Sequence, residues 1–369
     1  MKLNELRFQD PRTKTYLGSP SLVRLPDGAL LATHDYFGPG CPRNHEDEEH
    51  LSSVHRSEDN GESWRNVTHI ANAYWSTLFV HRGDAWLIGT SQQYGSIVIR
   101  RSSDGGFTWA HPVDAKTGLL FKGGPFHEPP NYHCAPVPVL LANGRLFRGF
   151  EDCSPCVWGT GFQALAVSAP EDADLLDATS WTMSSKVPFD PAWLPDWGAR
   201  PTCPGWLEGN IVQAPDGQLL DILRFNAEPH SDKAAVLRLS DDGRTLAAKP
   251  EFIDLPGGCH KFSVRRDPAT GLYLTLSNNN TAKAHPWQRN KLSLCASRDL
   301  REWQVCATIL ADGEASIPHV GFQYVDWQFD GDDLIALVRV AWDGAHNFHD
   351  SNRIVFHRVK NFRSLLGNV

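Results

Sequence analysis

The sequence predicts an all-β protein folded as a single β-propeller of six blades, and three observations carry that prediction. A turn segment reading Ser-x-Asp-x-Gly-x-Ser/Thr-Trp occurs in full at Ser57–Trp64 and Ser102–Trp109, with degenerate echoes at Ser240–Leu246 and Ser297–Trp303. An apolar strand, a tight turn and a second apolar strand recur along the chain at roughly 50–70 residue intervals, the spacing of four-stranded blades. After the last such unit only Arg353–Arg358 remains as a strand, so that blade lacks a member. The N-terminal segment Leu3–Gln9 is the natural donor, closing the ring and covering a strand edge.

Taken in order, the inner hairpins turn at Pro26-Asp27-Gly28, Arg82-Gly83-Asp84, Asn143-Gly144, Asp216-Gly217, Ala269-Thr270-Gly271 and Asp330-Gly331. Each turn carries residues that tolerate or supply the required backbone angles. In the repeated segment, Asp59 and Asp104 accept backbone N–H bonds, Gly61 and Gly106 permit positive φ, and Trp64 and Trp109 drop into an apolar seam. The connections 112–131 and 184–205 are proline-rich and read as loops, although a seventh blade built from them is the competing count. Asp172–Leu176 reads as one short helical turn.

Composition narrows the function classes. At 369 residues, 41% hydrophobic and net charge −8, with basic residues scattered, the chain has no nucleic-acid footprint. No run of about 18 apolar residues exists, so no membrane span is expected. The N-terminus lacks an apolar leader, which as written places the protein in the cytoplasm, or outside it if a leader has been removed. Thirteen Trp against two Met suit seams between sheets and stacking on sugars. The eight cysteines form no disulfide framework; Cys153-Ser154-Pro155-Cys156 reads as a loop with two free thiols, a disulfide or half a metal site being the alternative.

Propeller topology gathers the residues entering each inner strand and leaving each second strand at one mouth of the central channel. That set is rich in imidazoles, carboxylates, amides and aromatic rings, as a polar-ligand site requires. His34 and His133 are candidate general bases or hydrogen-bonded struts. Glu208 is a candidate acid or base, or a structural partner, with Tyr132 beside the same mouth. Arg224, and more weakly Lys261, would pair with a substrate carboxylate, the alternative for Arg224 being a salt bridge to Glu151 or Asp35. Asp35, Trp75, Gln93, Asn210, His260, Gln323, Tyr324 and His346 complete the expected substrate-binding set. The run His45–His50 reads as a solvated charge cluster rather than a metal site. No cofactor is required, and a structural divalent cation in the channel is left open.

The repeated turn resembles the Asp box of the sialidase superfamily, and the resemblance covers nearly the whole chain. Sialidases carry an Arg-Ile-Pro-type motif in the first blade, two further arginines that clamp the sialate carboxylate, and a Tyr/Glu nucleophile pair. Here the matching entrance is Gly18-Ser19-Pro20-Ser21, without arginine. Segments Thr33–Pro39, Tyr132–Pro136, Glu208-Gly209-Asn210 and Asp343–Asn347 also resemble propeller enzymes that remove terminal L-rhamnose from glucuronate, as lyases or as α-L-rhamnosidases. That resemblance implies an acidic oligosaccharide or polysaccharide as partner. Elimination would need a histidine base, whereas hydrolysis usually needs two carboxylates. The histidine-rich rim favours elimination; an exo-acting hydrolase and a non-catalytic glycan-binding propeller are the alternatives.

Overall fold

The computed structural model describes residues 4–367 and Val369, and in it six antiparallel sheets form the expected propeller. Their inner hairpins are Ser21–Arg24 with Leu30–Phe37, Tyr74–His81 with Asp84–Thr90, and Leu140–Ala142 with Arg145–Cys153 for blades I to III. Gly205–Gln213 with Leu219–Asn226, Val264–Arg266 with Tyr273–Ser277, and Gly321–Asp330 with Asp333–Ala341 serve blades IV to VI. The ring closes as expected: Asn4–Phe8 pairs antiparallel with Arg353–Val359 as the outer strand of blade VI. Leu3, also assigned to that strand, lies outside the described residues. No helix among the described residues is long and apolar enough to cross a membrane.

The two long connections are not wholly loop. Leu119–Phe121 supplies the outer strand of blade II, and Val187–Pro188 joins Thr182–Met183, which just precedes the second connection, on the outer edge of blade III. They complete existing blades and add no seventh. The helical turn expected at Asp172–Leu176 forms instead at Ala178–Ser180, where the Asp177 side chain caps Thr179 N–H.

Packing follows the ring. Each neighbouring pair of blades shares one apolar seam, such as Leu22, Leu30, Ile335 and Phe356 between blades I and VI. The repeated turns fasten these seams. Asp59 Oδ1 accepts from Ser57 Oγ at 2.8 Å and from Ser63 N–H at 2.9 Å, and Ser57 Oγ accepts from Gly61 N–H at 2.8 Å. Asp104 repeats the pattern in blade II. In the degenerate copies the bonding role falls to Asp242 and Asp299. Trp64 then lies against Phe356 of blade VI at 5.6 Å between ring centroids, so a turn of one blade grips its neighbour.

Gly61 has φ of 92°, and a Cβ there would sit 2.4 Å from the Phe356 ring. Backbone strain and overpacking both oppose any side chain. Gly61→Ala should therefore destabilise the fold by about 1–3 kcal/mol, read as a lower urea midpoint with an unchanged slope.

Candidate active site

Around the channel axis, several of the inner strands break register. In blades II, IV and VI the break is a bulge, between Tyr74 and Thr77, Leu207 and Asn210, and Gln323 and Asp326. One residue in each bulge takes positive φ: Trp75 at 46°, Glu208 at 60° and Tyr324 at 50°. Non-glycine residues rarely hold this conformation, and where they do the strain commonly serves a site. All three line the same cavity of about 190 Å³ at the channel mouth.

The remaining wall comes from neighbouring elements: Gly18, Ser19, Asp35, Phe37 and Glu49 of blade I, Gln93, Tyr94, His133 and Trp158 of blades II and III, and Arg339 and His349 of blade VI. Arg224 stands directly behind. Its Nη1 donates to both Glu208 oxygens at 3.0 and 3.1 Å and to Tyr324 Oη at 3.2 Å, while Nε donates to Cys259 O at 2.9 Å. One guanidinium thus holds a carboxylate and a phenol together. The partner of Arg224 is Glu208, not Glu151 or Asp35.

Asp35 sits in the wall with Oδ2 accepting from Trp75 N–H at 2.8 Å and Oδ1 without a partner. Burial pushes its carboxyl up to about 7, so it can carry a proton near neutrality. His133 faces the cavity and ties Nδ1 to Glu151 Oε2 at 2.7 Å. Burial lowers His133 to about 4 and raises Glu151 to about 8, so the imidazole is held neutral against a buried acid.

Arg339 is the one arginine among the described residues that line the cavity. Its guanidinium lies 4.5 Å from the Phe37 ring centre and 4.6 Å from that of Tyr324, and donates to His349 O at 2.6 Å. Arg289 stands 5.6 Å from the same Tyr324 ring centre. Both are buried, and among the described residues neither has a carboxylate in salt-bridge range.

Of the expected site residues, Asp35, Trp75, Gln93, His133, Glu208 and Tyr324 line the cavity, with Arg224 behind them. His34 does not. Strand alternation turns it away from Asp35 into a seam where its Nε2 meets that of His55 at 3.3 Å, and burial holds it well below the usual imidazole range. Tyr132 likewise points opposite His133, into the seam between blades II and III. Asn210, His260, Lys261 and Gln323 are buried but occupied by local bonds. Asn210 links Glu208 O to Phe262 O, His260 reaches Gln288 O, Lys261 donates to Val325 O, and Gln323 donates to Phe348 O. His346 is exposed, stacked on Tyr16 and paired with Asp350.

Arg339, Arg289, Glu49 and His349 were absent from the expected set. Arg339 could have been found: it is the one charge in the apolar run Leu334–Ala341. Glu49 lies in the run read as solvated, yet it is buried, accepts from Gly38 N–H at 2.7 Å, and is raised by that burial.

No family model matches this chain, and no curated protein sequence does. Solved structures do. The chain is similar to an α-L-arabinanase of Penicillium chrysogenum complexed with arabinobiose, at 16% identity and TM-score 0.62 over 98% of both chains. It is similar to the GH93 α-L-arabinofuranosidase of Fusarium graminearum, at 14% identity and TM-score 0.61 over 98% of both. A Trypanosoma rangeli sialidase in complex with sialic acid matches at 15% identity and TM-score 0.59, over 95% of this chain and 54% of that one. What they share is the fold.

Two stability predictions follow from the wall. Arg224→Met leaves Glu208 buried without its counter-charge and should cost about 3–5 kcal/mol by urea unfolding, part of it recovered in the double variant with Glu208→Gln. Asp35 has a folded value above its unfolded one, so stability falls as pH rises from about 4 to about 7 and is flat above. Asp35→Asn should therefore be more stable than the parent above pH 7, by on the order of 2–4 kcal/mol, with the difference vanishing toward pH 4.

Proposed function

We propose that this chain is an exo-acting glycosidase that removes a terminal sugar bearing an acidic group. The observation that carries the reading is Arg339. A buried guanidinium on a cavity wall, with no carboxylate of its own, is costly unless an anion completes it. The cavity has room for about one sugar ring, which suits a chain-end substrate. The arabinanase and sialidase matches lend the general class support.

The wall divides the work of hydrolysis. Asp35, protonated near neutrality, delivers its proton to the leaving glycosidic oxygen. Tyr324 Oη attacks the anomeric carbon, with Glu208 accepting the phenol proton and Arg224 holding both partners, in keeping with the Tyr/Glu pair that the sialidase resemblance implies. Water then resolves the covalent sugar, with Asp35 acting as base. Arg339, reaching over Tyr324 from blade VI, stands near the first-blade entrance, where sialidases carry an arginine and this chain has Gly18-Ser19.

A second reading rests on the His133–Glu151 pair. A neutral imidazole oriented by a buried acid is suited to abstracting the C5 proton of a uronate, which would make the enzyme a lyase releasing L-rhamnose. The two readings give different products.

Incubation with sialyllactose, aryl glycosides of uronic acids, rhamnosyl-glucuronate from gum arabic, and neutral aryl arabinofuranosides separates them. Hydrolysis of an acidic member, declining as pH rises through about 7 and reduced at least about 100-fold by Asp35→Asn, is the expected result. An unsaturated uronate lost with His133→Ala would shift the assignment to elimination. Turnover of the arabinofuranosides alone would sink the acidic-sugar reading.

A further inference from the structure

The Cys153–Cys156 segment lies beside the cavity but takes no part in the chemistry proposed for it. Cys153 ends the second strand of blade III and is fully buried against Phe162 and Leu207, with Tyr94 and Cys156 packed onto the same cluster. Cys156 is half-buried, and its thiol donates to Cys153 O at 3.1 Å. The loop that follows is a tight turn, fastened by Ser154 N–H to Gly161 O at 3.1 Å and Gly161 N–H to Val157 O at 2.9 Å. It carries Trp158, 43% exposed, which lines the cavity and lies 5.6 Å over the Arg224 guanidinium.

We propose that Cys153 and Cys156 are a peroxide-reactive dithiol whose reversible disulfide shifts the Trp158 loop at the mouth of the cavity. Cys156 is the attacking thiol because it alone of the pair reaches solvent. The neighbouring Cys153 sulfur also holds Cys156 below the usual thiol range, while burial holds Cys153 well above it. The Cys156 thiolate attacks one oxygen of a hydroperoxide, the O–O bond breaks, and the departing alkoxide or hydroxide takes a proton. This leaves Cys156 as a sulfenic acid. The Cys153 sulfur then attacks the Cys156 sulfur, the S–O bond breaks, and water leaves with the Cys153 proton. The dithiol loses two electrons to the peroxide, and an external thiol returns them.

Joining the sulfurs requires the close approach of a disulfide, and the buried strand end at Cys153 is the less movable partner. Cys156 and the turn behind it must therefore move, and Trp158 moves with them over Arg224.

The test is to treat the full chain with stoichiometric hydrogen peroxide and follow its intact mass, peptide map and tryptophan emission. The expected result is a loss of about 2 Da mapped to a Cys153–Cys156 link and reversed by dithiothreitol. A change in emission should accompany it and be absent in Trp158→Phe. Cys153→Ser should leave a dimedone-trappable sulfenic acid on Cys156, and Cys156→Ser should abolish both products. Oxidation confined to exposed Cys203, or an unchanged mass, would overturn the pair as a reactive site; a disulfide that leaves the emission unaltered would overturn its coupling to the mouth. The parent-chain map decides the chemistry even if Cys153→Ser folds poorly.

Discussion

Breaks in the ladders of the inner strands supply three of the side chains that line the cavity. Strands in blades II, IV and VI bulge, and those in blades I and III are interrupted, at Leu17–Ser21 and His133–Leu140. A bulge leaves one residue unpaired and re-aims its side chain. Trp75, Glu208 and Tyr324 are the residues re-aimed, each at a backbone angle that would be unfavourable elsewhere. The six apolar seams hold these bulges in place, so the rigidity of the ring and the reach of the site have one origin.

Charge on the wall is out of balance in an informative way. Glu208 is matched in charge by Arg224, and the neutral His133 imidazole is hydrogen-bonded to Glu151, each pair nearly closed to solvent. Asp35 keeps an oxygen unbonded, and Arg339 faces aromatic rings and a carbonyl in place of a carboxylate. A protein selected only for stability would pair or replace such groups. Asp35 and Arg339 both line one cavity, and that placement is what the proposed function rests on.

The fold was legible in the sequence because its signals are local. Asp59 and Asp104 satisfy their turns within five residues of themselves, and the hairpin turns carry their own backbone preferences. The site was half legible. Loop position was enough to find Asp35, Trp75, Gln93, His133, Glu208 and Tyr324. It could not tell His34 from Asp35 or Tyr132 from His133, because adjacent residues of a strand face opposite ways and the register near the channel depends on bulges that leave little mark in the sequence. Polarity is no guide here: Asn210, His260 and Gln323 are rim residues by position, yet their polar atoms are consumed by neighbouring backbone and side-chain groups. Arg339 lies in the middle of a strand, outside the loop positions that mark the channel mouth.

Blade VI joins residues 4–8 to residues 353–359, and this pairing spans almost the entire chain. Contacts so distant in sequence are slow to form, since a long loop must close before they repay its entropy. During synthesis, blade VI must wait for its own distal strands while the N-terminal segment, already emerged, remains single. The Phe356 ring that supports the first Asp-box turn arrives equally late. Completion of the whole toroid is thereby tied to its most sequence-distant pairing, and Tyr324 and Arg339 both belong to that closing blade.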